Sequence, residues 1–346
     1  MAAALAARRG ARAPAGRHRG DPGNAPLRPR SPGGGAPVRS GVLRRQRGSA
    51  LLIALITAAL AAVIATALLE RGQRSLARSE ALLASERSWQ YAQGMSILAR
   101  RMLEEAMAQG AEAAALDGSW TAPFQVPGGM VQGRLIDQGA LFNLNALGHP
   151  DGATATEARE AFRRLLEQIG LNPIIAEELA DWLDGAVMPR PGSAANDWYA
   201  RQDPPYRTAG VLLANASELR WLRSVDAAAW QALAPLVTAL PEPELRINVN
   251  TARPEVLAAV VAELDVEQAR RVIADGPYSQ PVHFIEHPLV APLIRPDERV
   301  RLGIRSRWYL AQARVVIDGV ERDYFRLMNG SAAGYDGFRR FSQGVP

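Results

Sequence analysis

The chain has 346 residues, with 40 arginines and no lysine against 35 acids, a net charge of +5, and 48% apolar residues. It has no cysteine, which excludes disulfides, thiol nucleophiles and thiolate metal sites. Eleven of the arginines and a single acid, Asp21, lie in residues 1–48, so the remainder carries about −5 and its charge gives no support to nucleic-acid binding.

Residues 1–48 also hold several prolines and Gly33-Gly34-Gly35, a composition that builds no core. They read as a disordered basic leader or as the product of a misplaced start codon. In the second reading Val42 is a GTG start and 1–41 are not translated. The preferred reading is the second, because it leaves a seven-residue leader ending Arg-Arg-Gln-Arg-Gly.

The next segment is the most informative. Arg44, Arg45, Arg47 and Gly48 abut the 21 uncharged residues from Ser49 to Leu69. As a helix this run is roughly 31 Å long, enough to cross a hydrocarbon core of about 30 Å once. Arginines beside a span stay on the cytoplasmic side, so the chain after Glu70 is expected outside the cytoplasm. A cleavable secretory signal has a shorter apolar run and its small-residue cleavage site on the far side. Here the glycine stands on the near, basic side. A plain, unprocessed signal anchor is the simpler alternative.

No proline occurs between Ser49 and Ala122, and apolar positions continue through Leu76, Leu83, Tyr91, Leu98 and Met102 to Ala106. One long helix over 49–110 is predicted, of which the distal half must lie on something. Strands are predicted at Met130 to Ile136, Trp308 to Ile317 and Asp323 to Met328, the last two around an Asp318-Gly319 turn. The stretch between reads as helices. The predicted organisation is α+β: a transmembrane and long helix (49–110), a small antiparallel sheet domain in two parts (111–145 and 301–346), and a large inserted all-helical domain (146–300).

Gly48 followed by an apolar helix resembles the class III signal of type IV pilins and type II secretion pseudopilins. In that family a membrane prepilin peptidase cuts after the glycine, here between Gly48 and Ser49, and the new amino terminus is methylated. The family usually has phenylalanine or methionine first and glutamate fifth in the mature chain, where this sequence has Ser49 and Ile53. That glutamate neutralises the amino terminus of the subunit above. Its replacement by Ile53 matches the large K-type minor pseudopilin, which caps the tip. Leu141-Phe142-Asn143-Leu144-Asn145, Asp181-Trp182-Leu183-Asp184, Pro204-Pro205-Tyr206-Arg207, Ser217-Glu218-Leu219 and Ile247-Asn248-Val249-Asn250-Thr251 occur in the order of that same K-type family. The resemblance covers nearly the whole chain after Leu43. It implies an inner-membrane, single-pass subunit with a periplasmic domain, which joins the I- and J-type minor pseudopilins to start and cap the pseudopilus. It implies no enzyme activity, no nucleic acid and no small-molecule substrate.

The family also holds calcium on a loop after a helix. Asp181, Asp184, Asn196 and Asp197 are the candidate ligands here, while Ala186 and Ala195 stand where the family commonly has acids. Calcium takes six to eight oxygens, so a thinned set implies a weak site, in the range of about 0.1 to 1 mM.

A rival reading is a membrane-tethered DNA-uptake receptor. Ala216 to Val237 and Pro254 to Ile273 each read as a helix, a turn and a second helix, and Ile247 to Thr251 is similar to the opening of helix-hairpin-helix modules. The turns contain no glycine, however, and carry Asp226, Glu263 and Asp265 where phosphate would sit. Catalysis has little support. His18 is in the leader, His149 is in a turn, and His283 and His287 are bracketed by Pro281 and Pro288 without a His-Glu-x-x-His order. No Gly-x-Ser-x-Gly elbow or phosphate-binding loop is present, which leaves a periplasmic hydrolase without a catalytic constellation.

Overall fold

The computed structural model describes residues 47–109, 118–185, 188–194, 196–294, 301–330 and 338–343. The leader up to Gln46, with Arg44, Arg45 and Val42, lies outside the described residues, as do Ala186 and Ala195. The chain divides into two units, Met1–Leu69 and Glu70–Pro346.

Helix α1 (Arg47–Gln109) begins in the first unit. There its side chains from Ser49 to Leu69 are all exposed, including Leu52, Ile56, Leu60 and Val63. Apolar side chains pointing outward all round a helix are what a lipid environment requires and water disfavours. The helix is long and apolar enough to cross a membrane.

In the second unit the same helix lies on an antiparallel sheet of order β1-β2-β7-β8-β9. Its strands are β1 (Phe124–Val126), β2 (Gly129–Asp137), β7 (Trp308–Ile317), β8 (Val320–Asn329) and β9 (Phe338–Gln343). Alternation in β2 sends Val131 and Leu135 to the helix face, where they meet Ala84, Ala92 and Leu103 together with Val315, Tyr309 and Met328. Gly133 keeps this contact close: a Cβ there would stand 2.6 Å from Met95 Cε. The other face of the sheet buries Leu240, Trp308, Leu310, Phe325 and Leu327. The β7–β8 turn is tight because Asp318 (φ 51°) and Gly319 (φ 78°) are both left-handed, the geometry of a two-residue hairpin.

Neighbours β2 and β7 pair from Gly129 opposite Ile317 to Asp137 opposite Tyr309. Residues 138–307 are thus inserted between two adjacent strands. The insertion has its own core, centred on Phe142, Phe162, Leu165, Leu179, Leu233 and Leu257. Its helices are α2 (Gly152–Gln168), α3 (Ile174–Asp184), α4 (Asn196–Tyr199), α5 (Ala227–Leu233), α6 (Pro254–Val260), α7 (Val266–Ala274) and α8 (Pro281–Ile285). Two parallel pairs accompany them: β3 (Phe142–Asn143) with β4 (Val237–Thr238), and β5 (Ile247–Asn248) with β6 (Leu302–Gly303). The first predicted helix pair differs from expectation. Ala216–Trp221 is a 3-10 helix closed by an Asn215/Glu218 capping box, and only its partner α5 is α-helical. The second pair, α6 and α7, is α-helical in both members.

Candidate functional site

The two asparagine-rich motifs are structural clamps. Asn145 is fully buried; its amide donates to the carbonyls of Leu213 (2.9 Å) and Leu240 (2.7 Å) and accepts from the Leu213 N–H (2.8 Å). Asn143 donates to the Glu242 and Glu244 carbonyls and accepts from Leu240 N–H. Asn250 does the same for Tyr278, giving to its carbonyl and taking from its N–H. A side-chain amide holds a donor and an acceptor side by side, so one residue satisfies irregular backbone that has no strand partner. At the junction with the sheet, buried Asp137 accepts from Gly139 N–H, Asn248 Nδ2 and Thr251 Oγ1 (2.7, 2.9 and 2.6 Å). These bonds fix the Ile247-to-Thr251 motif against the last residue of β2. Sequence reasoning did not single out Asp137, which stands alone in a strand.

Helix α3 supplies a second group of buried contacts. Trp182 lies edge-on to Tyr199, and Tyr206 of the Pro-Pro-Tyr-Arg motif packs tilted against Tyr199 and edge-on to Trp221, with its hydroxyl donating to the Trp221 carbonyl. Burial pushes the Tyr199 phenol well above its ordinary value, and Glu178 adds to the shift. Glu178, itself buried, accepts from Ser224 N–H (2.9 Å) and Ser224 Oγ (3.0 Å) and pairs with Arg223 Nε (3.2 Å). The acid of Ser217-Glu218-Leu219 accepts from the Ala214 and Asn215 N–H groups and closes the cap of the 3-10 helix.

The four candidate calcium ligands have protein partners or face water. Asp181 is only 2% exposed, and both its oxygens are taken by Arg190, one by the guanidinium and one by the main-chain N–H (2.9 Å). Asp184 accepts from the same guanidinium at 2.7 Å. Asn196 Oδ1 accepts from both the N–H and the hydroxyl of Thr208. Asp197 is exposed in the first turn of α4. Among the described residues no group of three or more His, Asp or Glu is placed to hold a metal. These oxygens do not fit calcium, which needs six to eight of them converging. Burial opposes the Arg190 charge, but the bonds from Asp184 and Asp181 outweigh it and hold its pKa above the ordinary value.

The remaining candidates separate cleanly. Gly48 and Ser49 fall in the first turns of α1, and Ile53 projects outward with 60% of its surface exposed. His283 meets Ser279 Oγ, whereas His287 meets Asp275, so the two rings are engaged apart. Two of the three acids in the helix-pair turns are N-caps: Asp226 accepts from Ala229 N–H, and Asp265 exchanges bonds with Gln268 in a capping box, while Glu263 is left-handed in the turn (φ 67°). A cap carboxylate occupies the helix N-terminus that a phosphate would need.

Comparison with known proteins agrees with this arrangement. Residues 140–242 and 247–277 match two family models, both described as type II secretion system (T2SS), protein K. The chain is 33% identical over 290 residues to the type II secretion system protein K of Klebsiella pneumoniae, across 79% of this chain and 89% of that protein. It belongs to the type II secretion system protein K family. The Pseudomonas aeruginosa PAO1 member is 34% identical over 244 residues, 66% of this chain and 72% of its own. A chain in the crystal structure of the GspK-GspI-GspJ complex from enterotoxigenic Escherichia coli shares the fold. Its TM-score is 0.63 at 23% identity, over 76% of this chain and 99% of that one. The protein K family is one of structural pseudopilins, not of known enzymes, and its role is that of a minor pseudopilin in protein secretion. The second helix pair lies inside the 247–277 match, which places those helices within the protein K pattern.

Proposed function

We propose that this chain is the tip subunit of a type II secretion pseudopilus, which starts its assembly with the I- and J-type minor pseudopilins and supports export across the outer membrane. The observation that carries this reading is the surface of α1. Within the second unit one side of the helix is buried on the sheet through Ala84, Ala92 and Leu103, yet Leu76, Leu82, Leu83 and Ile97 remain exposed. A row of uncovered apolar side chains on a folded domain marks a surface for other subunits. The complex that contains the structural relative, GspK with GspI and GspJ, supports two such subunits as the partners. Prepilin peptidase cuts between Gly48 and Ser49, the new amino terminus is methylated, and the span from Ser49 holds the chain once in the inner membrane with its sheet and helical domains in the periplasm. Ile53, apolar where a filament subunit carries an acid, has no subunit above it to neutralise.

Deleting the gene is expected to trap the secreted proteins in the periplasm, and the wild-type chain to restore their release. Leu83→Arg with Ile97→Arg is expected to be made and folded but not to restore it. Normal secretion in the deletion strain, or full rescue by the double variant, contradicts the reading.

A further inference from the structure

We propose that Arg190 is the resident cation at the end of α3, so that the helical domain folds without calcium or any other divalent metal. Glu177, Asp181 and Asp184 follow one another at helical spacings of four and three, which puts them on one face. The negative end of the helix dipole disfavours carboxylates there, and α3 has no basic residue in its last turn. A carboxylate as buried as Asp181 needs a counter-charge and full hydrogen bonding. Arg190 supplies both from outside the helix. Gly185, left-handed at φ 61°, turns the chain back after Asp184, and Arg190 then reaches Asp181 and Asp184 with two arms of one guanidinium while its Nε lies 3.9 Å from Glu177. A planar fork between two carboxylates is a geometry that arginine makes and lysine does not.

A calcium ion at the same place would have to displace the guanidinium or sit beside its positive charge. Among the described residues few side-chain ligands would remain for it. Asn196 is committed to Thr208, Asp197 faces water, and Ala186 and Ala195 have no side-chain oxygen. The inference does not rest on the tip assignment, since it concerns only how the helical domain is held.

The test uses the full chain purified in detergent and stripped with EDTA. Its melting temperature is compared in EDTA and in about 5 mM calcium chloride, a concentration that fills even a weak extracellular-type site, and its calcium content is measured by elemental analysis. The wild type is expected to melt at the same temperature in both and to hold no stoichiometric calcium. Arg190→Leu is expected to melt several degrees lower in EDTA, with Arg190→Lys between the two. A wild-type rise of several degrees in calcium, retention of about one calcium per chain, or an Arg190→Leu variant as stable as wild type overturns the proposal. If neither variant folds, the wild-type pair of melts and the calcium content decide it.

Discussion

Replacing Asn145 tests whether the asparagine motifs act as backbone clamps. Its amide makes three hydrogen bonds of 2.7 to 2.9 Å in a fully buried site, to a donor and an acceptor on Leu213 and an acceptor on Leu240. Asn145→Ala leaves one N–H and two carbonyls without partners, and an orphaned buried group costs about 1–3 kcal/mol, carbonyls less than N–H groups. The expected loss is about 3–4 kcal/mol, a large share of a typical total of about 5–15 kcal/mol. Asn145→Asp is the sharper variant. It still accepts from Leu213 N–H, but it sets a negative oxygen against two carbonyl oxygens, so it is expected to destabilise more than alanine despite its closer shape. Urea unfolding of the full chain in detergent, followed by tryptophan fluorescence, gives the shift in midpoint. A loss below about 0.5 kcal/mol for Asn145→Ala, the size of an ordinary surface change, or an aspartate variant as stable as wild type, refutes the clamp.

Two glycine replacements and two anchor variants follow from the same structure. Gly129→Ala places a Cβ 1.8 Å from the Val316 carbonyl oxygen, so the β1–β2 edge must move and the thermal midpoint should fall by several degrees; Gly319→Ala, with open space around it, should cost only about 1 kcal/mol from its positive φ. Coexpression with a prepilin peptidase should give a mature amino terminus at Ser49 by Edman or mass analysis, and Gly48→Val should leave the precursor intact; intact precursor in both would indicate a plain signal anchor. Ile53→Glu sets an acid about 7 Å into the span with no partner for it, and should lower secretion or leave it unimproved; a clear gain in secretion or pseudopilus yield speaks against the tip position.

The parts of the fold legible in the sequence are those with local causes. Helix α1 follows from a proline-free apolar period, and the Asp318-Gly319 pair announces a hairpin because only such residues accept two successive positive φ angles. The pairing of β2 with β7 was not legible from either strand, since 138–307 intervene and the sheet is buried on both faces, by α1 on one and with Leu240 on the other. Strand β1 is only three residues long and edge strand β9 reads Phe-Arg-Arg-Phe-Ser-Gln without alternation, so neither gives a pattern to find. The 3-10 form of Ala216–Trp221 was not legible, because apolar spacing over six residues does not distinguish it from an α-helix. In the site, the ordered motifs pointed to the correct segments but not to their work. Arg190 sits between Pro189 and Pro191 and looks like a loop residue; only the left-handed turn at Gly185 brings it back to Asp181. Glu178 and Asp137 carried no signal either, because a buried acid is recognised by its partners, and those lie 46 and 111 residues further along the chain.

Immunogold labelling of pseudopili decides whether this subunit sits at the tip. An epitope in the exposed surface of the helical domain, decorated with gold on overproduced pseudopili, should appear at one end of each filament and nowhere else, and filaments should be lost when the gene is deleted. Gold distributed along the filament length, or normal filaments without the gene, would contradict the assignment of this chain to the tip.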